Sequence, residues 1–430
     1  MNFNTRFLYI FCMLACLSNA QNPVLVGYWQ NWNDANAPYI PLDQIDARYN
    51  VVCVSFAVPT SPSDMNMLFT PDGVSEATFI SQMQTLQSQG KKVLLSIGGA
   101  TTSISLNTIQ NRDIFVSSMM SILNNYHFDG IDIDIEHGDS ILATGTIANP
   151  VSADSINLID ALTQINNNYL TNFNVPMMLT FAPETAYVQG GMSAYGGIWG
   201  GYLPLLDALR SDIDFIHVQL YNSGSIYGID GMVYNQGTAD FIVAMTEALI
   251  QGFQTSGGAF VGFPANKVIV GLPACPNAAG GGFTSTAVVS SAIKYLKGNG
   301  PKPGTYTLSL VGGYPNLGGM MTWSINWDKV TTCNAASYEY AENYATIFGG
   351  PLTSPSFSSN EKSLTMAPNP ATNNIYLKGN SHNFYKILNL QSQLIQEGKI
   401  DAIDGINISN IKPGLYLLAI DHIILKFIKE

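Results

Sequence analysis

The sequence predicts an α/β protein, a (β/α)8 barrel followed by a small all-β C-terminal domain. Short β-rich runs alternate eight times with segments of helical spacing between Val24 and Ile325, the rhythm of a parallel sheet closed by crossover helices. After Gly350 the composition changes to short alternating segments separated by Asn, Gly, Pro and Asp turns, which reads as a small β-sandwich. A length of 430 residues holds one large barrel with room for such a domain.

The elements follow in order. Arg6, the apolar run Phe7 to Leu17 and then Ser18-Asn19-Ala20 read as a secretory signal peptide over residues 1–20, cut before Gln21. Cys16 raises a lipoprotein signal instead, but Met13-Leu14-Ala15 fits a lipobox poorly. The eight predicted strands are Val24–Trp29, Val51–Val58, Lys92–Ile97, Phe128–Glu136, Pro176–Ala182, Ile213–Tyr221, Lys267–Leu272 and Gly319–Ile325. Amphipathic spacing between them predicts helices over Glu76–Gln89, Asp113–Tyr126, Ser155–Asn168, Ala239–Gly252 and Thr286–Lys297. The barrel domain then spans 21–349, a Ser/Pro/Thr-rich linker 350–362, and the sandwich 363–430. Its strands are expected over Ser363–Met366, Asn374–Leu377, Phe384–Leu388, Gly414–Ile420 and Ile423–Ile428.

Bulk properties exclude several function classes. Only 11% of residues are charged, and 18 Lys+Arg against 30 Asp+Glu leave a net charge of −12. No basic patch for nucleic acid or an anionic membrane follows from that balance, whereas an uncharged polymer suits it. No stretch after the signal is long and apolar enough to span a bilayer. Signal cleavage removes Cys12 and Cys16 and leaves Cys53, Cys275 and Cys333. Three cysteines cannot all pair; Cys275 and Cys333 follow the seventh and eighth strands and could bridge, or stay free buried thiols. The histidines, among them His127, His137 and His217, show no metal-ligand spacing, and His217 reads as a core residue. No metal or cofactor is expected.

The fourth strand carries the chemistry. Phe128-Asp129-Gly130-Ile131-Asp132-Ile133-Asp134-Ile135-Glu136 places four carboxylates within eight residues. Period-2 alternation puts Asp132, Asp134 and Glu136 on one face and Ile131, Ile133 and Ile135 on the other. Three crowded carboxylates cannot ionise independently, so a proton is shared and the outermost acid is pushed up towards neutral pH. Isoleucine in every spacer, where a calcium loop needs a central glycine turn, argues against a calcium site.

This run resembles the Asp-x-x-Asp-x-Asp-x-Glu signature of family 18 glycoside hydrolases, the chitinases and their relatives. Further strand ends resemble that family in order: Ser96-Ile97-Gly98-Gly99 on the third, Thr180-Phe181-Ala182-Pro183-Glu184 on the fifth, Gln219-Leu220-Tyr221-Asn222 on the sixth, and Trp323 on the eighth. The resemblance covers residues 23 to 348 and implies the (β/α)8 fold, with the site at the C-terminal ends of the strands. It implies Glu136, Asp134, Asp132 and Tyr221 as catalytic residues. Tyr28, Phe56, Gly99, Ala182, Glu184, Gln219, Asn222 and Trp323 would contact the sugar, Trp323 as the floor under it. The implied reaction is retaining hydrolysis of β-1,4 N-acetylglucosamine links by a monomer acting on chitin or chito-oligosaccharides. An endo-β-N-acetylglucosaminidase acting on N-linked glycans shares the motif, and a non-catalytic chitin-binding lectin shares the barrel but typically lacks the final Glu.

The short span from Leu272 to Gly319 leaves little room for the α+β insertion of many exo-acting members, which predicts an open groove and endo action. Tyr195, Trp199 and Tyr202 in Gly190–Tyr202 could stack on sugars or pack their own loop. Gly280-Gly281-Gly282 lacks the Gly-Lys-Ser/Thr of a phosphate cradle and reads as a flexible loop beside the groove. In the tail, Ala367-Pro368-Asn369-Pro370-Ala371, Pro413-Gly414-Leu415-Tyr416 and Lys426-Phe427-Ile428-Lys429 resemble a type A C-terminal sorting domain of the type IX secretion system. That implies a Gram-negative host, export through its type IX machinery, secretion with a transient stay at the cell surface, and removal of the tail. A carbohydrate-binding module of this size would typically display exposed aromatics, and the tail has no Trp.

Overall fold

The computed structural model describes residues 23–136, 141–349, 365–378, 384–389, 394–400, 405–420 and 423–430. The signal peptide, Cys12, Cys16, His137 and the 350–362 linker lie outside them. The chain divides into two compact units, Met1–Pro351 and Leu352–Glu430.

The first unit is a barrel of eight parallel strands: β1 (Val24–Gln30), β2 (Val51–Ser61), β3 (Lys92–Gly98), β4 (Gly130–Asp134), β5 (Met178–Phe181), β6 (Phe215–Ile216), β7 (Ile269–Pro273) and β8 (Gly319–Trp323). They pair in the order β7-β8-β1-β2-β3-β4-β5-β6. Parallel bridges Ile216–Val268 and Gln219–Gly271 link β6 to β7. Helices α1 (Glu76–Ser88), α2 (Ile109–Tyr126), α3 (Ala153–Phe173), α4 (Leu203–Ala208), α5 (Ala239–Gln251) and α6 (Thr286–Leu296) occupy the successive crossovers from β2 to β8. Two more, α7 (Ile325–Lys329) and α8 (Glu339–Phe348), follow β8, whereas the β1–β2 connection holds only a 3-10 turn at Leu42–Gln44. No described helix is long and apolar enough to cross a membrane.

Period 2 sorts each strand. Ile131, Ile133 and Ile135 join the core shared with the helices, beside Phe115 and Met119 of α2 and Leu158 and Leu162 of α3. Val26, Tyr28, Cys53, Leu94, Phe215, Ile269 and Met321 fill the barrel interior. Local chemistry aims β4. The Thr108 hydroxyl caps α2 by accepting from Asn111 N at 3.1 Å, so the helix starts at Ile109, four residues earlier than the apolar spacing marks it. His127 ends it in a left-handed conformation, φ 61°. Asp129 then fixes the register: its carboxylate accepts from Val93 N at 3.0 Å and pairs with Lys92 at 2.7 Å. A side chain at Gly130 would meet Met178 O at 1.9 Å, so only glycine lets β5 lie against β4 here.

Some expectations change. The sixth strand, predicted over Ile213–Tyr221, is regular only at Phe215–Ile216. Its neighbour Pro183 has no N–H to give, although Gln219 N still donates to Pro183 O at 2.9 Å and Leu220 N to Gly271 O at 3.0 Å. Its inward parity therefore survives. β2 runs three residues beyond Val58 and pairs with a hairpin strand, Asp64–Leu68. Cys275 and Cys333 form a disulfide across 58 residues, and Cys53 is a buried free thiol. In the chain-entropy account such a loop contributes about 4 kcal/mol.

The second unit contains a three-stranded sheet (Thr365–Ala367, Asn374–Lys378, Ile406–Asn407) and a four-stranded one (Leu394–Lys399, Phe384–Leu388, Gly414–Ile420, Ile423–Lys429). Ile375, Ile387, Ile406, Leu418 and Phe427 form its core. Leu394–Lys399 lacks the alternation that marks the other strands and was not expected.

Candidate active site

Asp132 and Asp134 point into the barrel, and Glu136 stands just past the end of β4. Asp132 is fully buried with two donors on each oxygen. Tyr28 Oη (2.6 Å) and Ser96 Oγ (2.8 Å) reach Oδ2, while Thr180 Oγ1 (2.6 Å) and His217 Nε2 (2.9 Å) reach Oδ1. Burial alone would raise its pKa, but His217 and the hydrogen bonds of His217, Thr180 and Tyr28 outweigh it and hold the carboxyl below its usual range.

Asp134 is the opposite case. Burial, then the neighbouring Glu136 and Asp132 carboxyls, push it well above the usual range, and it shares a hydrogen bond with Glu136. An upward shift is thus found at the middle carboxyl. Gln219 Nε2 lies 2.7 Å from Asp134 Oδ1, 3.1 Å from Glu136 Oε1 and 3.0 Å from Ala182 O, bracketing the pair.

Backbone contacts hold the acids in place. Gly99 N donates to Asp134 O at 2.7 Å. At Gly98 a Cβ would sit 2.4 Å from that same oxygen, and at Gly99 (φ 80°) 2.7 Å from the Phe56 ring. The glycine pair is therefore a close-packing requirement. Beyond the strand, Tyr202 Oη donates to Ile135 O at 2.8 Å and accepts from Ile135 N at 2.9 Å, and Tyr187 Oη donates to Glu136 O.

Over these acids opens a cleft of about 680 Å3, lined by Asp134, Glu136, Gln219, Tyr221, Asn222 and Trp323 and walled by Trp32 and Phe56. The Trp323 and Phe56 rings stack at 5.9 Å and 15°, and Trp32 lies over Phe56 at 6.3 Å. A wider concavity of about 910 Å3 elsewhere has no carboxylate in its lining, so the chemistry belongs to the cleft.

Of the sugar-contact residues expected from sequence, Phe56, Gln219, Asn222 and Trp323 line the cleft. Tyr28 lies beneath it, bonded to Asp132; Gly99 makes room for Phe56; Ala182 is buried behind Gln219; Glu184 bridges to Gln219. The tyrosines of Gly190–Tyr202 pack their own surroundings: Tyr202 clamps Ile135, and a Cβ at Gly257 would lie 2.2 Å from the Tyr195 ring. The glycine loop is fastened to Asn222, whose N donates to Gly281 O at 3.2 Å and whose Oδ1 accepts from Gly281 N at 3.1 Å. Sequence reasoning missed Trp32, Ser96, Thr180 and Tyr187. Inward parity with Gly98 and Ala182 marks Ser96 and Thr180, but nothing local marks the other two. Among the described residues, Cys53, Asp132 and His217 bring metal-type donor atoms within 4.8 Å of one another. Each Asp132 oxygen is already engaged by two side-chain donors, which accounts for the cluster without an ion.

The comparisons agree with this architecture. Residues 24–285 match the glycosyl hydrolases family 18, and residues 365–429 match the secretion system C-terminal sorting domain. Chitinase Chi52 of Paenibacillus xylanexedens is 44% identical over 312 residues, 71% of this chain and 59% of that protein. Chitinase D of Niallia circulans is 44% identical over 313 residues, with the same coverage. The chain thus spans about three-fifths of the length of these relatives. The crystal structure of a family 18 chitinase from Chromobacterium violaceum superposes with a TM-score of 0.67 at 35% identity, covering 76% of this chain and 83% of that one. Barrel, carboxylate strand and sequence matches together place the chain in family 18 of the glycosyl hydrolases, followed by a secretion-system sorting domain.

Proposed function

We propose that the protein is an exported, endo-acting chitinase that cleaves β-1,4 links between N-acetylglucosamine units with retention of configuration. The observation that carries this reading is the hydrogen-bonded Asp134–Glu136 pair at the mouth of β4, facing an aromatic floor of Trp323 and Phe56. A sugar stacked on Trp323 would bring its glycosidic oxygen to Glu136, which protonates it. No protein carboxylate attacks; the carbonyl of the substrate's own 2-acetamido group closes on C1, the substrate-assisted exception to the two-carboxylate scheme. Asp134 holds the acetamido N–H and offsets the positive charge of the oxazolinium ion. Tyr221, buried beside Asp134 and Glu136, donates to the acetamido oxygen and keeps it in attack geometry. Glu136 then takes a proton from water as the intermediate opens.

The similarity to named chitinases favours chitin over N-linked glycans. A single helix, α6, lies between β7 and β8, in keeping with an open groove and internal cleavage. The sorting-domain match favours export through a type IX system in a Gram-negative host. On this reading residues 21–349 are the catalyst, 350–362 the linker and 363–430 the address.

Chitohexaose and a high-mannose glycoprotein, offered in parallel, test the proposal. Chitohexaose should yield dimers, trimers and tetramers from the first turnovers, with the glycoprotein untouched. Release of the glycan instead would make the protein an endo-β-N-acetylglucosaminidase, and binding of chitohexaose without cleavage would make it a lectin.

A further inference from the structure

The heart of the barrel contains a histidine for which the mechanism above has no use. His217 is fully buried on the inner face of the sixth strand. Its Nε2 lies 2.9 Å from Asp132 Oδ1, and its Nδ1 has no hydrogen-bond partner. A carboxylate oxygen can only accept, so the proton on this ring sits on Nε2. The other tautomer would leave a buried N–H with nothing to bond, which folded proteins avoid more strictly than an unused acceptor.

The other donors to Asp132 are the hydroxyls of Tyr28, Ser96 and Thr180. A hydroxyl can turn and accept from a protonated carboxyl; a ring N–H cannot. His217 is thus the one partner that cannot reverse its bond, and its N–H bonds a carboxylate more strongly than a neutral acid. The remaining titratable groups facing it inside the barrel are Tyr28 of β1, Cys53 of β2, Asp134 above Asp132, and Tyr221 further along its own strand. Burial pushes Tyr28, Cys53 and Tyr221 up, which keeps them neutral. The other strands present Leu94, Ser96, Thr180, Ile269 and Met321 inward, none of which titrates.

We infer that His217 is a positioning residue whose fixed Nε2–H holds Asp132 as a carboxylate, so that the mobile proton stays on the Asp134–Glu136 pair above. Held by one donor that cannot turn away, Asp132 is the poorer site for the proton that Asp134 carries. The inference rests on the proposed hydrolysis for its kinetic consequence but not for its structural one, and two measurements keep these apart.

The first uses the intact protein and no substrate. With 15N-labelled histidine the five rings of the chain give five pairs of ring-nitrogen signals, and the His217 pair is assigned by its disappearance in His217→Gln. We expect Nε2 to carry its proton from pH 4 to 8; a ring with the proton on Nδ1 alone would overturn the inference. The second is the pH profile of kcat/KM on a chito-oligosaccharide. His217→Met removes the donor and should move the acidic limb up by about one pH unit, because Asp132 now competes for the proton. His217→Gln, whose Nε2 reaches the same place, should restore the limb. A uniformly lower rate with an unmoved profile in both variants would reduce His217 to packing. If the wild type proves inactive on such substrates, the proposed function falls while the ring measurement still decides the role of His217, as it does if His217→Met fails to fold.

Discussion

Replacing Glu136 by Gln should lower kcat on chito-oligosaccharides by about three to four orders of magnitude while leaving their binding intact. The side chain sits past the last ladder bond of β4, at the cleft, where its Oε1 accepts from Gln219 at 3.1 Å and its backbone carbonyl is held by Tyr187. Gln keeps the length and the backbone tether but cannot give up a proton to a leaving oxygen. Because Trp32, Phe56 and Trp323 are untouched, the stacking proposed to bind sugar should persist. Single-turnover kinetics beside calorimetric titration would separate the two effects. Activity within tenfold of wild type would remove Glu136 from its assigned role.

Asp134→Asn should cut kcat by about a hundredfold or more and yet stabilise the fold. On the proposed mechanism the functional loss follows from removing the charge that would offset the oxazolinium ion and the partner that shares a proton with Glu136. The gain in stability follows from the raised pKa. Well below the ordinary carboxylate range Asp134 is protonated both folded and unfolded, so Asp and Asn differ little. As pH rises past about 3.9 the unfolded chain ionises freely, while burial and the Glu136 and Asp132 carboxyls resist ionisation in the folded state. Wild-type stability therefore declines relative to the variant as pH increases. Thermal melts from pH 4 to 8 should show the Asn protein with the higher Tm at the alkaline end. A lower Tm there would mean that the folded state holds Asp134 as a stabilised anion.

Much of this was legible because strands write their two faces directly into sequence. Ile131, Ile133 and Ile135 against Asp132, Asp134 and Glu136 give both the wall and the site from a single nine-residue run. Where the ladder is interrupted, as at Pro183 beside the sixth strand, parity outlived regular structure, and Gln219 and Tyr221 still face the cleft. Depth was harder to read. Tyr28 and Phe56 both point inward, but Tyr28 lies low enough to reach Asp132 while Phe56 stacks under open space. Period 2 fixes a face, not a height along the barrel, and height depends on the stagger between neighbouring strands. Trp32 and Tyr187 escaped because they act from a bend and a short 3-10 turn beyond the strand ends, whose path is set by tertiary contacts. The disulfide stayed open for the same reason: Cys275 and Cys333 approach to 5.8 Å between Cα atoms only through the turns after β7 and β8.

The central claim is that the substrate's acetamido oxygen attacks, with Glu136 and Asp134 managing protons around it. Time-resolved 1H NMR of chitotetraose hydrolysis tests it most directly, because displacement by an internal nucleophile and then by water inverts the anomeric carbon twice. The first products should carry the new reducing end as the β-anomer, relaxing to the equilibrium mixture only later. Initial release of the α-anomer would mean that water attacks in a single step, and would contradict the account.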